Sequence, residues 1–234
     1  MCRMIGITNF DYADSEHKEL MANFFLLGEK GKTLAEDSSG HLDGWGVGYY
    51  KEGKAFVRKS AGSIVAEKNR YFKILEKIGK SPVLIAHFRK SAWPDTNTVA
   101  NSHPFEHKNI LFAHNGTIYD YEKLIGQIEH KDRLAHKVLD SEMFARFIVT
   151  RRTGNLKKKL SQAISVIREN NKYSSLNCLL TDGKNLYAYR EYTKNPEYYT
   201  LFSARSGKSK IYSSEEVSEK LDWEIFPPRH TVSG

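Results

Sequence analysis

The sequence predicts a layered α+β protein whose strands pair mainly antiparallel, and three observations carry that expectation. Strand-like runs stand on either side of a central pair of helices, so helix and strand do not alternate as in a βαβ series. Two strand pairs are separated only by short glycine turns, which join antiparallel neighbours. Neither GxGxxG nor a phosphate-binding GxxxxGK[ST] occurs, so the usual nucleotide-binding folds have no support. No repeat, low-complexity tract or long Pro/Gly/Ser linker divides the chain, and residues 1–234 read as one domain.

The first strand is expected over about 2–9, where Met4, Gly6 and Thr8 alternate with Ile5, Ile7 and Asn9. A helix over EHKELMANFFLLG follows, with Leu20, Phe24 and Leu27 on one face and Gly28 suited to its C-cap. After the polar stretch GKTLAEDSSGHLD, the run GWGVGYYKEGKAFVRKS reads as two strands joined at 51–54 by a turn containing Gly53. A helix near 67–79 and a buried strand, VLIAHFR, come next. Segment 90–108 carries Pro94 and Pro104 and has no periodicity; a loop of that length inside a compact domain is often functional. ILFAHNGTI is a further strand, and Asp120 is placed to cap a short helix beyond it. The central helices are DSEMFARFIVTRR and NLKKKLSQAISVIREN. SSLNCLLTDGKNLYAYREY is a hairpin about Asp182-Gly183, with Cys178 as a core strand residue, and YYTLFSARS and KSKIYSSEE are the closing strands.

A formal charge of +8 makes nucleic acid the first partner to weigh. The densest basic stretch is the second central helix. There Leu156, Leu160, Ala163, Ile164 and Ile167 share one face and leave Lys157, Lys158 and Lys159 to water. That is an ordinary solvated helix face, and a nucleic-acid partner is not expected. No stretch approaches the roughly 20 apolar residues of a membrane span, so no membrane association is expected. The amino-terminal pattern is that of a strand rather than a secretory signal, and two cysteines make no disulfide framework. The expected location is the reducing cytoplasm.

Five places carry chemistry. Once Met1 is removed, as the small neighbour Cys2 permits, the Cys2 thiol and a free α-amine belong to one residue. A thiol with a pKa of about 8.5 needs a base, and an α-amine near about 7.7–8.0 is one. By itself a cysteine at position 2 is an unremarkable residue. Arg89 ends a buried strand, where a guanidinium suits bidentate carboxylate binding or a structural ion pair. Asn115-Gly116 ends another: the Asn amide and the Gly N–H can serve one oxygen, or the pair can form a hairpin turn. Asp140 opens a helix as an N-cap or as the acceptor for a substrate ammonium. His103, in NSHPF, is of a kind that is ordinarily structural, and no signal makes it a base. Combined, these offer a nucleophile, an oxyanion hole, a carboxylate clamp and an ammonium acceptor. Hydrolysis of a γ-amide on a free α-amino acid needs that set.

MCRMIGI, DGWGVGYY, AHFRKS, NSHPF, FAHNGTI and DSE together resemble the class II glutamine amidotransferases, the cysteine branch of the N-terminal-nucleophile hydrolases. The resemblance is to the free-standing subgroup without a fused synthetase domain, and YSSEEVSEKLDWEIFPP extends it over nearly the whole chain. It implies a four-layer αββα sandwich of two antiparallel sheets between helices. It also implies Cys2 as nucleophile, Asn115 and Gly116 as the oxyanion hole, Arg89 on the α-carboxylate and Asp140 on the α-ammonium. His103 matches a subgroup motif and is grouped with the substrate-binding residues without a settled role. Residues Lys90 to Trp93 match the larger synthases poorly.

The expected reaction is hydrolysis of a γ-glutamyl amide, in glutamine or a γ-glutamyl peptide or conjugate, through a Cys2 thioester, with no cofactor and no metal. The expected ligand is that small molecule, and a synthetase or peptidase is the protein partner to look for. Three readings stand beside it. One is an ammonia-supplying glutaminase subunit of a separate synthetase. Another is a catalytically silent binding subunit using the basic surface. The third is an acylase of the bile-salt or penicillin V type, for which an Arg89/Asp140 clamp has no purpose.

Overall fold

Strands that are apolar on both sides need a layer on each face, and this chain supplies it with two stacked sheets. The computed structural model describes residues 2–128, 138–152 and 154–233. The first sheet contains β1 (Arg3–Asp11), β2 (Trp45–Lys51), β3 (Lys54–Ser60), β4 (Lys80–Phe88), β9 (Phe202–Ser206), β10 (Ser209–Ser213) and β11 (Glu224–Ile225). Its order is β11-β9-β10-β1-β4-β2-β3. The second contains β5 (Phe105–His107), β6 (Ile110–Asn115), β7 (Asn177–Thr181), β8 (Leu186–Tyr189) and β12 (Thr231–Ser233), in the order β12-β8-β7-β6-β5. All registered pairs are antiparallel.

Period-2 alternation sorts the side chains into three cores. Met4, Ile85, Leu111, Ala113, Leu179 and Leu186 meet between the sheets. On the outer face of the first sheet Ile5, Ile7, Val47, Ala86 and Phe88 receive α1 (Ser15–Lys30) and α2 (Lys68–Ile78). On the outer face of the second, Phe112, Cys178 and Leu180 receive α3 (Asp140–Val149) and α4 (Leu156–Asn170). The result is an αββα sandwich, as the resemblance implied. α4 buries Leu156, Leu160, Ala163, Ile164 and Ile167, the face read from the sequence, and Cys178 is fully buried.

Several local expectations are corrected. α1 runs past Gly28 to Lys30, and Gly31 is its C-cap. Gly28 is there for packing, because a Cβ would lie 2.5 Å from Ile64 Cγ2. Segment 90–108 ends in β5, and β11 and β12 are strands too short for a periodic signal. Asp120 stands at the start of a 3₁₀ turn (Tyr121–Gln127) without capping it; its carboxylate accepts from Lys172 N at 3.0 Å. The 51–54 turn is as expected, with Glu52 at φ 51 and Gly53 at φ 74.

Candidate active site

The same alternation brings three of the sequence-derived residues to one end of the inter-sheet space. Cys2 has the parity of Met4, Arg89 that of Ile85, and Asn115 that of Leu111 and Ala113, and all of these partners lie between the sheets. Cys2 precedes β1, Arg89 follows β4 and Asn115 closes β6, so each sits where its strand stops. Register fixes the first two on neighbours, since Arg3 pairs with Phe88. Asp140 arrives from the second sheet's outer layer, in the first turn of α3.

Cys2 and Asn115 are joined directly: Cys2 N donates to Asn115 Oδ1 at 3.1 Å. Asn115 is wholly buried, and its Nδ2 has no partner among the described residues. An amide anchored by its oxygen beside a nucleophile, with its N–H bonds unengaged, can donate to an oxyanion. The Cys2 thiol rests on the backbone of Lys90, whose N–H donates to Sγ at 3.4 Å while Sγ lies 3.5 Å from its carbonyl oxygen. Burial pushes the thiol pKa up, opposed by the amino-terminal charge, the Lys90 N–H, Arg89 and Arg3. A thiol held up in this way needs a base close by. Gly116 does not make a hairpin turn: the chain runs on to Ile118, which bridges to Tyr173. It must be glycine because a Cβ would lie 1.9 Å from Ser175 O.

Arg89 and Asp140 are both buried, and their opposite charges act on one another. Arg89 is nearly buried. It donates to Ser91 Oγ at 2.8 Å, Thr96 Oγ1 at 3.0 Å and Asp43 O at 3.3 Å. Asp140 accepts from Ile118 N at 3.0 Å and Trp93 Nε1 at 3.2 Å. It is not the N-cap of α3, which is Leu139. Burial raises its carboxyl to about 6, against the pull of Ile118 N–H, Trp93, Ser141 N–H and Arg89. A buried acid of this kind, close to a guanidinium, is suited to a ligand carrying both an ammonium and a carboxylate. His103 lies in the interior, its ring stacked on His87 at 4.1 Å, with burial holding it neutral. The glycines of GWGVG make room for its segment. A Cβ on Gly46 would lie 2.3 Å from His103 O, and one on Gly48 2.7 Å from Pro104 Cγ.

Sequence reading missed the residues that hold this set. Arg3, fully buried, donates to Cys2 O at 3.0 Å and pairs with Glu215 at 2.5 Å, tying the strand start to the YSSEE segment. Asp43 accepts from Ser91 N at 2.8 Å, and Lys90 Nζ donates to Ser38 O at 2.6 Å. Arg3 and Asp43 lie inside the MCRMIGI and DGWGVGYY stretches, the one signal by which they were findable.

Two antiparallel sheets stacked between helix layers make the fold N-terminal-nucleophile-hydrolase-like. The family model for class II glutamine amidotransferases matches residues 30–205, and the chain belongs to that family. The matched residues contain Arg89, His103, Asn115, Gly116 and Asp140, whereas Cys2 lies outside them. Over 218 residues the chain is 32% identical to an uncharacterized protein of Methanocaldococcus jannaschii, covering 86% of this chain and 54% of that protein. It thus spans about half the length of that curated relative. Glutamine phosphoribosylpyrophosphate amidotransferase of B. subtilis is similar in fold (TM-score 0.70, 18% identity), covering 100% of this chain and 49% of the enzyme. So is a glutamine aminotransferase class-II domain protein from Silicibacter pomeroyi (TM-score 0.64, 17% identity), covering 99% of this chain and 94% of that one.

Proposed function

We propose that residues 1–234 form one amidohydrolase domain. It cleaves the γ-amide of a substrate with a free α-amino acid end, glutamine or a γ-glutamyl peptide or conjugate. The observation that carries the reading is the contact of Cys2 N with Asn115 Oδ1, which leaves Asn115 Nδ2 without a partner among the described residues. Excision of Met1 turns that nitrogen into a free amine. The amine takes the thiol proton and the thiolate attacks the γ-carbonyl. Negative charge collects on the carbonyl oxygen, facing Asn115 Nδ2 and the Gly116 N–H. The ammonium returns the proton to the departing nitrogen, leaving a γ-glutamyl thioester on Cys2. Water, deprotonated by the same amine, then releases glutamate and the thiol. Arg89 and Asp140 hold the α-carboxylate and α-ammonium throughout. A reducing cytoplasm suits the free thiol, and a synthetase taking ammonia or a peptidase supplying γ-glutamyl compounds is the matching partner.

The test sets glutamine, γ-glutamyl peptides and acyl-glycines side by side, with intact-mass measurement of the active protein. Release of glutamate from the first two, loss of Met1 and abolition of turnover in a folded Cys2→Ala variant are the expected results. Turnover by protein that retains Met1, or by Cys2→Ala, overturns the mechanism. Cleavage of acyl-glycines alone would favour the acylase reading.

A further inference from the structure

His114 takes no part in that chemistry, yet it sits beside Asn115 and contacts α3 and β4, which carry or adjoin Asp140 and Arg89. It precedes Asn115 on β6 and has the opposite parity, so its ring points outward against α3, edge-on to Phe144 at 5.5 Å. Nε2 lies 3.0 Å from Ser175 O and Nδ1 2.9 Å from Ser141 Oγ. A carbonyl oxygen only accepts, so Nε2 carries the hydrogen; Nδ1 is then a lone pair and accepts from the Ser141 hydroxyl. Burial holds the ring's pKa down at about 4, so this neutral tautomer persists at neutral pH. Meanwhile the His114 carbonyl accepts from His87 Nε2 at 3.3 Å, two residues before Arg89.

The partners are the neighbours of the working groups. Ser141 follows Asp140, and Ser175 O is the atom against which Gly116 is packed. We infer that His114 is a positioning residue that fixes the separation between the amide end of the substrate site, Asn115 and Gly116, and its amino-acid end, Asp140. The inference rests on the proposed γ-amide reading. A rigid link matters there because the substrate is gripped at Asp140 and must present its carbonyl at Cys2, and a misplacement of about 1 Å costs about a hundredfold in rate.

The experiment compares two alkylations of Cys2. Iodoacetamide needs only the thiol, whereas a diazoketone analogue of glutamine needs the thiol and the α-amino acid clamp together. In His114→Gln, which loses the ring's bridge to Ser141, the analogue should label Cys2 about ten- to a hundredfold more slowly while iodoacetamide reacts at the wild-type rate. Ser141→Ala removes only the hydroxyl and should slow the analogue about threefold to tenfold; it decides the matter if His114→Gln does not fold. Equal slowing by both reagents, or wild-type analogue labelling in either folded variant, overturns the positioning role and leaves the proposed function standing. Failure of the analogue to label wild-type protein, with no γ-amide cleaved, overturns the proposed function and this inference with it.

Discussion

Asn115 and Asp140 are both buried polar residues, and they differ in what satisfies them. Asn115 spends its oxygen on Cys2 N and leaves Nδ2 unengaged, so under the proposed mechanism its removal acts where negative charge develops. Asn115→Ala is expected to lower kcat about 10²–10³-fold, the usual loss for one oxyanion donor, with little change in KM. A variant within tenfold of wild type removes Asn115 from the site. Asp140 is a raised acid, and the sign follows: with its carboxyl at about 6 it is charged at pH 7.5 and increasingly neutral as pH falls through 6. A neutral carboxyl loses the charge that favours an ammonium. Glutamine binding to Cys2→Ala, measured by calorimetry, should therefore weaken toward about tenfold per pH unit below pH 6 and level off above pH 7. Affinity unchanged from pH 5 to 7.5 would detach Asp140 from the ligand.

Among the elements, the β2–β4 region shows what glycine spacing achieves. β2 pairs with β3 and β4, and its Gly46 and Gly48 face the inter-sheet side. Segment 103–104 lies on that bare strip, with His103 O where a Gly46 Cβ would stand. Backbone cannot retreat as the far end of a side chain can. Gly46→Ala is thus expected to cost about 1–3 kcal/mol in urea denaturation, the range for overpacking. A stability equal to wild type would show that the segment shifts freely. The longer strands, the turns at Gly53 and Gly183 and the buried face of α4 were legible because each rests on a local period or a φ sign. The end of α1 was misread at Gly28, since a glycine chosen for contact with Ile64 and a glycine chosen for a cap look identical in one dimension.

At the scale of the whole molecule, the inter-sheet core is what makes the two sheets one unit. The approach is close: a Cβ on Gly6 of β1 would lie 3.0 Å from Leu186 Cδ2 and 3.1 Å from Leu179 Cδ1 across the gap. Leu179 is fully buried there. Leu179→Ala should cost about 2–5 kcal/mol, transfer and cavity together, and lower a single unfolding transition common to both sheets. Two separated transitions in calorimetry would mean that the sheets melt independently.

By itself the sequence determined the residue types of the candidate site and the strand ends on which three of them stand, because strand alternation and end signals are local. Cys2, Arg89, Asn115 and Asp140 were named from chemistry that a thiol, a guanidinium, an amide and a carboxylate can each perform alone. Only the tertiary structure decided that Cys2, Arg89 and Asn115 come to one end of the inter-sheet space. It also decided that Asp140 is held by Ile118 and Trp93 rather than capping its helix, and that His114, Arg3 and Asp43 hydrogen-bond to Ser141, Cys2 and Ser91. The physical reason is distance along the chain. Cys2 and Asn115 are 113 residues apart, and no periodicity within a window of one helix or strand encodes which distant neighbour a buried hydrogen bond will find.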